Sequence, residues 1–310
     1  MKLIFCGTPR FALPTLEKLI EEQFDIELVV TKPDEPAGRG HELTASPVKQ
    51  AAHQHRLLIF QPEKLNHPAT RTFLSTFYVE AIVVAAYGYI LPQWMLELAP
   101  LGCINLHASL LPKYRGAAPI PWAIIRGEKE TGVTTMRLDR GMDTGDILLS
   151  RAEPIYSEDT AETLSMRLSL PGAELMVETL RGLERGAIQP CPQDNPRASY
   201  APRLRKEDGR IDWSLESEEI WRRVRGLNPW PGAFSTFRGK LLHIWTASFA
   251  CESLPGVAPG TLILAENRLE VACRVGHLIL GEVQLEGRKR LSAFDFARGA
   301  RIKPGEKLGI

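Results

Sequence analysis

Two apolar runs, "EAIVVAA" at Glu80–Ala86 and "CINLH" at Cys103–His107, decide the fold of the first half of the chain. The first run shows no polar alternation, which is typical of a parallel strand covered on both faces, and the second is apolar except for Asn105 and His107 at its end. Similar runs occur earlier, "KLIFCG" at Lys2–Gly7 and "IELVVT" at Ile26–Thr31, and segments with apolar residues at helical spacing separate them. Strands that alternate with helices in this way predict an α/β domain with a mostly parallel sheet.

The composition changes after the last long helical segment, which we expect to break at Pro171. The stretch "AIQPCPQDNPRASYAPRL" at Ala187–Leu204 contains four prolines and little periodicity, which is typical of an extended linker. One helix and several short runs bounded by turn residues follow, and they predict a small β barrel. We therefore expect an α/β domain over residues 1–188, a proline-rich linker over 189–206 and a mostly-β domain over 207–310.

Composition and charge exclude several classes of protein. The net charge is +1, from 38 basic and 37 acidic side chains, so a nucleic-acid-binding surface would have to be local. The five cysteines are scattered without a C-x-x-C pair, which argues against a disulfide framework or a zinc site. The longest apolar run, which starts at Ala81, is too short to cross a bilayer, and the N-terminal run before Gly7 is too short for a signal peptide. We expect a cytoplasmic protein without a bound metal.

Asn105 and His107 lie two residues apart at the end of a predicted strand, so their side chains share one face. Ligands of open parallel sheets bind beyond the carboxyl ends of the strands, where this pair lies. The alternative is a hydrogen-bonded polar pair that closes the sheet edge. The loop Arg137–Leu148 contains further carboxylates, and Asp143 or Asp146 could accept a hydrogen bond from His107 and fix its tautomer. Alternatively these aspartates cap turns, the role that we assign to Asp146.

An amide, an imidazole and a carboxylate can act together in catalysis. The amide stabilises an oxyanion, the imidazole transfers a proton and the carboxylate orients the imidazole. This combination suits acyl or formyl transfer to an amine. The chain has no G-x-S-x-G motif, and Cys103 should lie deeper in the strand, so direct attack by the acceptor amine is simpler than a covalent intermediate.

The loop Thr31–Lys49 is long, polar and rich in proline and glycine, and it leaves a strand end on the predicted site side. Long ordered loops are often functional, and Lys32, Arg39 and Lys49 could contact phosphates. Composition alone favours a mobile surface loop instead.

Several of these stretches resemble those of the methionyl-tRNA formyltransferase family. They include "NLHASLLPKYRGAAPIPWAI", "ETGVTTMRLDRGMDTGDIL", "VVAAYGYILP" and "PAGRGHELTASPVK". The later segments "SYAPRLRKEDGRIDW", "LNPWPGAFS" and "RLSAFDFARGARIKPGEKLG" extend the resemblance over nearly the whole chain. The resemblance implies a Rossmann-like formyltransferase fold followed by a C-terminal OB-like β-barrel domain.

The resemblance also implies an activity, transfer of the formyl group of 10-formyltetrahydrofolate to the α-amino group of methionyl initiator tRNA, for translation initiation. It implies that Asn105, His107 and Asp143 are the catalytic residues. The folate is then a co-substrate, no metal takes part, and we expect a monomer that binds folate and methionyl initiator tRNA.

Binding residues follow from the same resemblance. The predicted folate-binding residues lie in two short segments: Ser109, Leu110, Leu111 and Pro112, with Tyr87, Gly88 and Ile90. The predicted tRNA-binding residues are all basic: Lys32, Arg39, Lys49, Arg203, Arg205 and Lys206. A solvated charged surface is the alternative interpretation of each basic residue.

Two other functions remain open at this stage. His41 and Glu42 replace a lysine that the family pattern would have after "GRG", and "PKYRG" is shared with sugar-nucleotide formyltransferases. The same chemistry on a small acceptor, an amino sugar nucleotide or glycinamide ribonucleotide, is therefore the second hypothesis. The third is a folate- or RNA-binding protein without catalysis, against which the complete set of catalytic groups argues.

Overall fold

The computed structural model describes residues 1–37, 42–252, 254–303 and 305–309, so the predicted tRNA-binding residue Arg39 lies outside the described residues. The chain divides into two compact units. The N-terminal unit comprises Met1–Gly116, Glu130–Pro154 and Ser165–Ala201. The C-terminal unit comprises Ala117–Lys129, Ile155–Leu164 and Pro202–Ile310. The segment 189–206, predicted as a linker, is thus divided between the two units after Ala201.

A seven-stranded sheet forms the centre of the N-terminal unit, in the order β5-β2-β1-β6-β7-β8-β9. The first five strands of that order pair in parallel. Strand β8 is antiparallel to its neighbours β7 and β9. The short strands β3 and β4 form a separate antiparallel pair. In chain order the strands are β1 Lys2–Gly7, β2 Asp25–Val30, β3 Glu35–Ala37, β4 Glu42–Thr44, β5 Ile59–Phe60, β6 Ala81–Ala85, β7 Cys103–His107, β8 Glu130–Arg137 and β9 Ile147–Pro154. The predicted mostly parallel, Rossmann-like sheet is confirmed.

Eight α-helices accompany the strands within the described residues: α1 Leu13–Glu21, α2 Pro47–Gln54, α3 Pro68–Leu74, α4 Gln93–Leu96, α5 Pro119–Ile125, α6 Ala161–Glu184, α7 Ser217–Gly226 and α8 Ala293–Ala300. Helix α2 begins as its sequence predicts, because the Ser46 hydroxyl accepts a hydrogen bond from the Lys49 amide at 3.1 Å.

The predicted break at Pro171 is wrong, because α6 continues through it. Proline removes one backbone hydrogen bond and usually kinks a helix. Here the next residue, Gly172, packs so closely on Leu106 of β7 that a Cβ atom would lie 2.8 Å from that side chain. This packing against the sheet favours the continuous helix.

The C-terminal unit contains an antiparallel sheet in the order β10-β11-β14-β13-β12, with β15 paired to β14. Its strands are β10 Ala233–Phe237, β11 Lys240–Ala250, β12 Leu262–Ala265, β13 Arg268–Ala272, β14 His277–Leu285 and β15 Leu291–Ser292. Apolar side chains of α7, α8 and the strands form its core. The predicted β-rich C-terminal domain is therefore confirmed, whereas closure of this sheet into an OB-like barrel stays a prediction.

One face of the N-terminal sheet carries both a hydrophobic cluster and, at the end of β7, the predicted site residues. Ile82 and Val84 of β6 and Cys103 of β7 belong to a buried hydrophobic cluster on that face. Since side chains alternate along a strand, Asn105 and His107 continue the same face beyond Cys103. The core thus ends where these two polar groups begin.

Candidate active site at the end of strand β7

Asn105 and His107 occupy the end of β7, which pairs in parallel with β6 and antiparallel with β8. The His107 side chain is buried, and Asn105 is half-buried. Within the described part of the chain, the Asn105 amide has no hydrogen-bond partner. The structure therefore presents an unpaired amide and a buried imidazole at the end of β7, on the one strand face that the sequence predicted for both.

A backbone carbonyl fixes the orientation of the His107 imidazole. Its Nε2 lies 2.9 Å from the carbonyl oxygen of Tyr114. A carbonyl oxygen only accepts, so Nε2 is the donor and carries the proton. The other ring nitrogen, Nδ1, is then left with a lone pair in the neutral ring. The site has a proton acceptor at Nδ1.

Asp143 approaches this acceptor without a direct hydrogen bond. Its Oδ2 is 3.7 Å from His107 Nδ1, which is beyond hydrogen-bonding distance. The same oxygen accepts a hydrogen bond from the Gly116 amide at 2.8 Å. The predicted hydrogen bond from His107 to Asp143 is therefore wrong for this structure, and the Tyr114 carbonyl fixes the tautomer instead. Asp143 contributes a negative charge next to Nδ1.

The loop that carries Asp143 is tightly constrained. Asp143 itself has a φ of 54°, in the left-handed region that non-glycine residues rarely adopt. A Cβ atom on Gly145 would lie 1.8 Å from the carbonyl oxygen of Arg137, so only glycine fits there. The Asp139 carboxylate accepts hydrogen bonds from the Gly141 amide at 2.9 Å and the Thr144 hydroxyl at 2.8 Å. The side chain that closes this turn is Asp139, not Asp146.

Sequence reasoning missed a buried network behind this loop. The Arg115 guanidinium is only 3% exposed and donates to Gln193 Oε1 at 3.0 and 2.7 Å, and to Asn195 Oδ1 at 2.8 Å. Gln193 Nε2 in turn donates to the carbonyl oxygens of Asp143 at 2.9 Å and Gly145 at 2.7 Å. The amide of Gln193 therefore joins a buried cation to the backbone of the Asp143 loop.

The residues that follow Gln193 pack on the turn between β7 and α5. We call Gln193–Ala201 the strap. The Ser199 hydroxyl accepts a hydrogen bond from the Tyr114 amide at 2.9 Å, and the Ser199 carbonyl accepts one from the Arg115 amide at 2.8 Å. Gly116 has a φ of 116°, and a Cβ atom there would lie 2.8 Å from the Ala201 carbonyl oxygen. Part of the predicted linker is thus built into the site.

The first predicted folate segment, Ser109–Pro112, is a packed turn. The Ser109 hydroxyl donates to the Lys113 carbonyl at 2.6 Å, and the Thr134 hydroxyl donates to the Ser109 carbonyl at 2.7 Å. The Leu111 amide donates to the same Thr134 hydroxyl at 3.2 Å. Ser109 and Leu111 are buried, and Leu110 and Pro112 are half-buried. These side chains mainly pack within the turn, and none of the four is fully exposed to solvent.

The second predicted segment follows β6 and is mostly exposed. Ile90 is 93% exposed, and Gly88, with a φ of 81°, is also exposed. Tyr87 is buried instead, and burial raises the pKa of its hydroxyl well above the usual value. That hydroxyl has no hydrogen-bond partner in the described structure. Lys32 Nζ lies 4.8 Å from the centre of the Tyr89 ring, which brings a cation to this segment.

The other predicted basic residue of the early loop is already paired. Lys49 Nζ donates to Asp34 Oδ2 at 2.6 Å. Hydrogen bonds from Lys49 and then from Gln61 lower the pKa of the Asp34 carboxyl. A phosphate would have to compete with this ion pair for Lys49.

Three predicted tRNA-binding residues lie together in the C-terminal unit. Arg203 and Arg205 line a cavity of about 750 Å³, and Lys206 follows them as an exposed residue. The cavity is lined by Trp122, Pro202, Arg203, Leu204, Arg205, Asp208 and Trp230. Trp230 is 51% exposed, and the Trp122 indole donates to the Pro202 carbonyl at 2.8 Å. An exposed indole such as that of Trp230, beside guanidinium groups, suits stacking and phosphate contacts with single-stranded nucleic acid.

Strand β7 also carries the thiol of Cys103, which is buried. Burial raises the pKa of the Cys103 thiol to about 12, and its Sγ contacts the Met95 carbonyl at 3.4 Å, so it is not a nucleophile. The described residues contain no group of three or more His, Cys, Asp or Glu side chains that could hold a metal ion. None of their helices is both long and apolar enough to span a bilayer.

Comparison with known proteins shows the family to which the chain is related. The sequence model of the formyl transferase family matches residues 1–180, and that of the formyl transferase C-terminal domain matches residues 203–301. The methionyl-tRNA formyltransferase of Solibacter usitatus is 52% identical over 309 residues, covering 100% of this chain and 99% of that protein. The methionyl-tRNA formyltransferase of Koribacter versatilis is 53% identical over 311 residues, with coverage of 100% and 99%.

Solved structures share the fold at lower identity. The methionyl-tRNA formyltransferase from Clostridium thermocellum is similar with a TM-score of 0.58 at 19% identity, over 92% of this chain and 98% of that one. An N-formyltransferase from Helicobacter canadensis, in complex with folinic acid and dTDP-3-aminofucose, gives a TM-score of 0.68 at 20% identity, over 90% and 98%. At these identities the structural likeness supports the fold alone.

Proposed function

The chain belongs to the methionyl-tRNA formyltransferase family, and we infer that it transfers the formyl group of 10-formyltetrahydrofolate to the α-amino group of methionyl initiator tRNA. The observation that carries this function is the pairing, on one face of β7, of a free amide at Asn105 with a proton acceptor at His107 Nδ1. These are the two groups that formyl transfer to an amine requires.

The Asn105 amide donates a hydrogen bond to the oxygen of the formyl group. When the methionyl amine attacks the formyl carbon, the carbonyl oxygen gains negative charge. A donor placed for that charge stabilises the transition state more than the ground state. Because the Asn105 amide has no other partner in the described structure, it can donate without giving up an existing hydrogen bond.

His107 transfers a proton from the attacking amine nitrogen to the leaving nitrogen of the folate. Its Nε2–H stays with the Tyr114 carbonyl, and Nδ1 takes the proton that the attacking amine loses. The imidazolium that results lies 3.7 Å from the Asp143 carboxylate, and this negative charge stabilises it. The proton then passes from Nδ1 to the leaving nitrogen, so His107 ends the cycle neutral and protons balance. We therefore propose for Asn105, His107 and Asp143 the catalytic roles that the resemblance implied.

Bound 10-formyltetrahydrofolate supplies the formyl group on a nitrogen that can leave as a neutral amine. The residues proposed to hold it fit a flat heterocycle with an anionic tail. Ile90 and Tyr89 offer exposed apolar surface, Lys32 offers a cation, and the buried Tyr87 hydroxyl is unpaired in the described structure. Ser109–Pro112 and Gly88 would contribute mainly backbone atoms, because the Ser109 and Leu111 side chains are buried.

The tRNA is proposed to contact Arg203, Arg205 and Lys206, together with Lys32, Lys49 and Arg39 from the early loop. The cavity between Trp122 and Trp230 supports the first group, since indole rings stack on bases and guanidinium groups bind phosphates. The Asp34 ion pair makes Lys49 the weakest of these candidates. We also propose that the protein acts in the cytoplasm and that it is a monomer.

A formylation assay with three acceptors tests the function. Methionine-charged initiator tRNA, methionine-charged elongator tRNA and an amino sugar nucleotide are offered in parallel with 10-formyltetrahydrofolate. We expect formylation of initiator methionyl-tRNA alone. Formylation of the sugar alone would keep the chemistry of β7 but refute the assigned acceptor. No turnover with any amine would leave a binding protein without catalysis.

A further inference from the structure

We propose that the strap positions both halves of the catalytic site. Gln193 holds the Asp143 loop, and Ser199 binds the backbone amide of Tyr114, the residue whose carbonyl orients His107. Neither residue contacts the reacting groups in this scheme, so both are positioning residues. The inference rests on the proposed function for its assay and on hydrogen bonds within the N-terminal unit for its geometry.

The site needs such a support because two of its backbone positions are unfavourable. Tyr114 has a φ of 62° and Asp143 a φ of 54°, both in the left-handed region. Non-glycine residues hold this conformation only when surrounding contacts impose it. The strap supplies a hydrogen bond to the backbone of each: Ser199 Oγ accepts from the Tyr114 amide at 2.9 Å, and Gln193 Nε2 donates to the Asp143 carbonyl at 2.9 Å.

The chemistry of Gln193 is set by its two neighbours. The Arg115 guanidinium has only donors, so the Gln193 oxygen must face it. The Gln193 nitrogen then faces the carbonyl oxygens of Asp143 and Gly145, which only accept. A glutamate here would bind Arg115 at least as well, but it would place a carboxylate oxygen against two carbonyl oxygens. The neutral amide is therefore required for the loop rather than for the burial of Arg115.

Three variants separate positioning from general stability. Gln193→Glu keeps the Arg115 contacts and loses both donors to the loop. Ser199→Ala loses the acceptor for the Tyr114 amide, and Ser199→Thr restores a hydroxyl. Asn195→Ala is the matched control, because it removes one Arg115 contact and none to the loop.

Steady-state formylation with both substrates varied gives the main readout. We expect Gln193→Glu to lower kcat about 10²-fold, the cost of a small misplacement of catalytic groups, with KM for folate and tRNA unchanged. Ser199→Ala should lower kcat about fivefold, the equivalent of one hydrogen bond, and Ser199→Thr should recover it. Asn195→Ala should retain the wild-type kcat.

A wild-type kcat in Gln193→Glu, or an equal fall in Gln193→Glu and Asn195→Ala, would overturn the proposal. If Gln193→Glu does not fold, Ser199→Ala decides: a wild-type kcat in that variant, or a fall equal to that of Asn195→Ala, would overturn the proposal. Hydrogen–deuterium exchange of residues 138–146 is independent of the acceptor. It should rise in Gln193→Glu and not in Asn195→Ala, and unchanged exchange would also refute the role of Gln193. Inactive wild-type protein with the expected exchange would refute the proposed function and leave the strap in place.

Discussion

His107 Nδ1 and Asp143 Oδ2 lie 3.7 Å apart, close enough for an ion pair but too far for a hydrogen bond. The tautomer of His107 is set elsewhere, by the Tyr114 carbonyl at 2.9 Å from Nε2. Orientation and charge stabilisation of the imidazole are therefore provided by two different groups. This separation allows each contribution to be removed without the other.

Asp143→Asn removes the charge and keeps an oxygen that can accept from the Gly116 amide. Two charges near 4 Å apart interact by about 4 kcal/mol at an effective dielectric constant of 20, and the His107 and Asp143 side chains are 7% and 17% exposed. We expect kcat to fall about 10²-fold with the melting temperature nearly unchanged. Asp143→Ala should be worse in both activity and stability, because the Gly116 amide also loses its acceptor. Equal activity of Asp143→Asn and wild type would rule out the charge effect.

The thiols should divide into two classes. Burial raises the pKa of Cys103 to about 12 and that of Cys273 to about 11, and it raises the pKa of Cys6 well above its usual value. Cys191 and Cys251 are exposed. Since the thiolate is the reactive form, a disulfide reagent at pH 8 should label these two in the native protein and all five after unfolding. Rapid labelling of a third native thiol would contradict the packing described here.

His243 should make the C-terminal unit less stable in mild acid. Burial lowers its pKa below 6.5, and its ring stacks on Trp245 with centroids 5.6 Å apart. The unfolded chain therefore binds a proton at a higher pH than the folded one, so stability is full above pH 6.5 and falls as the pH drops toward the folded pKa. Melting temperatures between pH 5 and 8 should fall less toward acid in His243→Gln than in wild type. Parallel curves would exclude this residue as the cause.

Arg203 and Arg205 should contribute to the salt dependence of tRNA binding. Each phosphate contact contributes about 0.7–0.9 to the slope of log Kd against log salt concentration. We expect Arg203→Ala and Arg205→Ala each to weaken binding and to reduce the slope by about that amount. Arg274→Ala is the control, because that arginine is paired with Glu216 at 2.9 Å. An unchanged slope in the first two variants would remove them from the phosphate contacts.

Apolar periodicity was enough to predict the parallel sheet, because buried strands leave an uninterrupted signal such as that of Ala81–Ala85. The Asn105–His107 pair could also be predicted, since alternation along a strand puts residues two apart on one face. A proline signal was misleading at Pro171. There, packing of the neighbouring Gly172 on Leu106 favours a continuous helix over the break that local preference indicates.

The groups that orient the catalytic side chains had no signal in the sequence. The partner of His107 is the carbonyl of Tyr114, and every residue has a carbonyl, so no residue type reveals it. Gln193 joins Arg115 across 78 positions, and proline-rich composition around it indicated only an extended segment. Long-range hydrogen bonds of neutral side chains depend on the folded backbone, and a single sequence does not predict them.

The most direct test of formyl transfer at the end of β7 is the single-turnover rate of formylation of methionyl initiator tRNA. Wild type, Asn105→Ala and His107→Ala are compared at saturating folate, with the exposed Asn66→Ala as a control. We expect Asn105→Ala to be slower by about 10²–10³-fold and His107→Ala by about 10²–10⁴-fold, with the control at the wild-type rate. Rates within twofold of wild type in both catalytic variants would show that the chemistry takes place elsewhere.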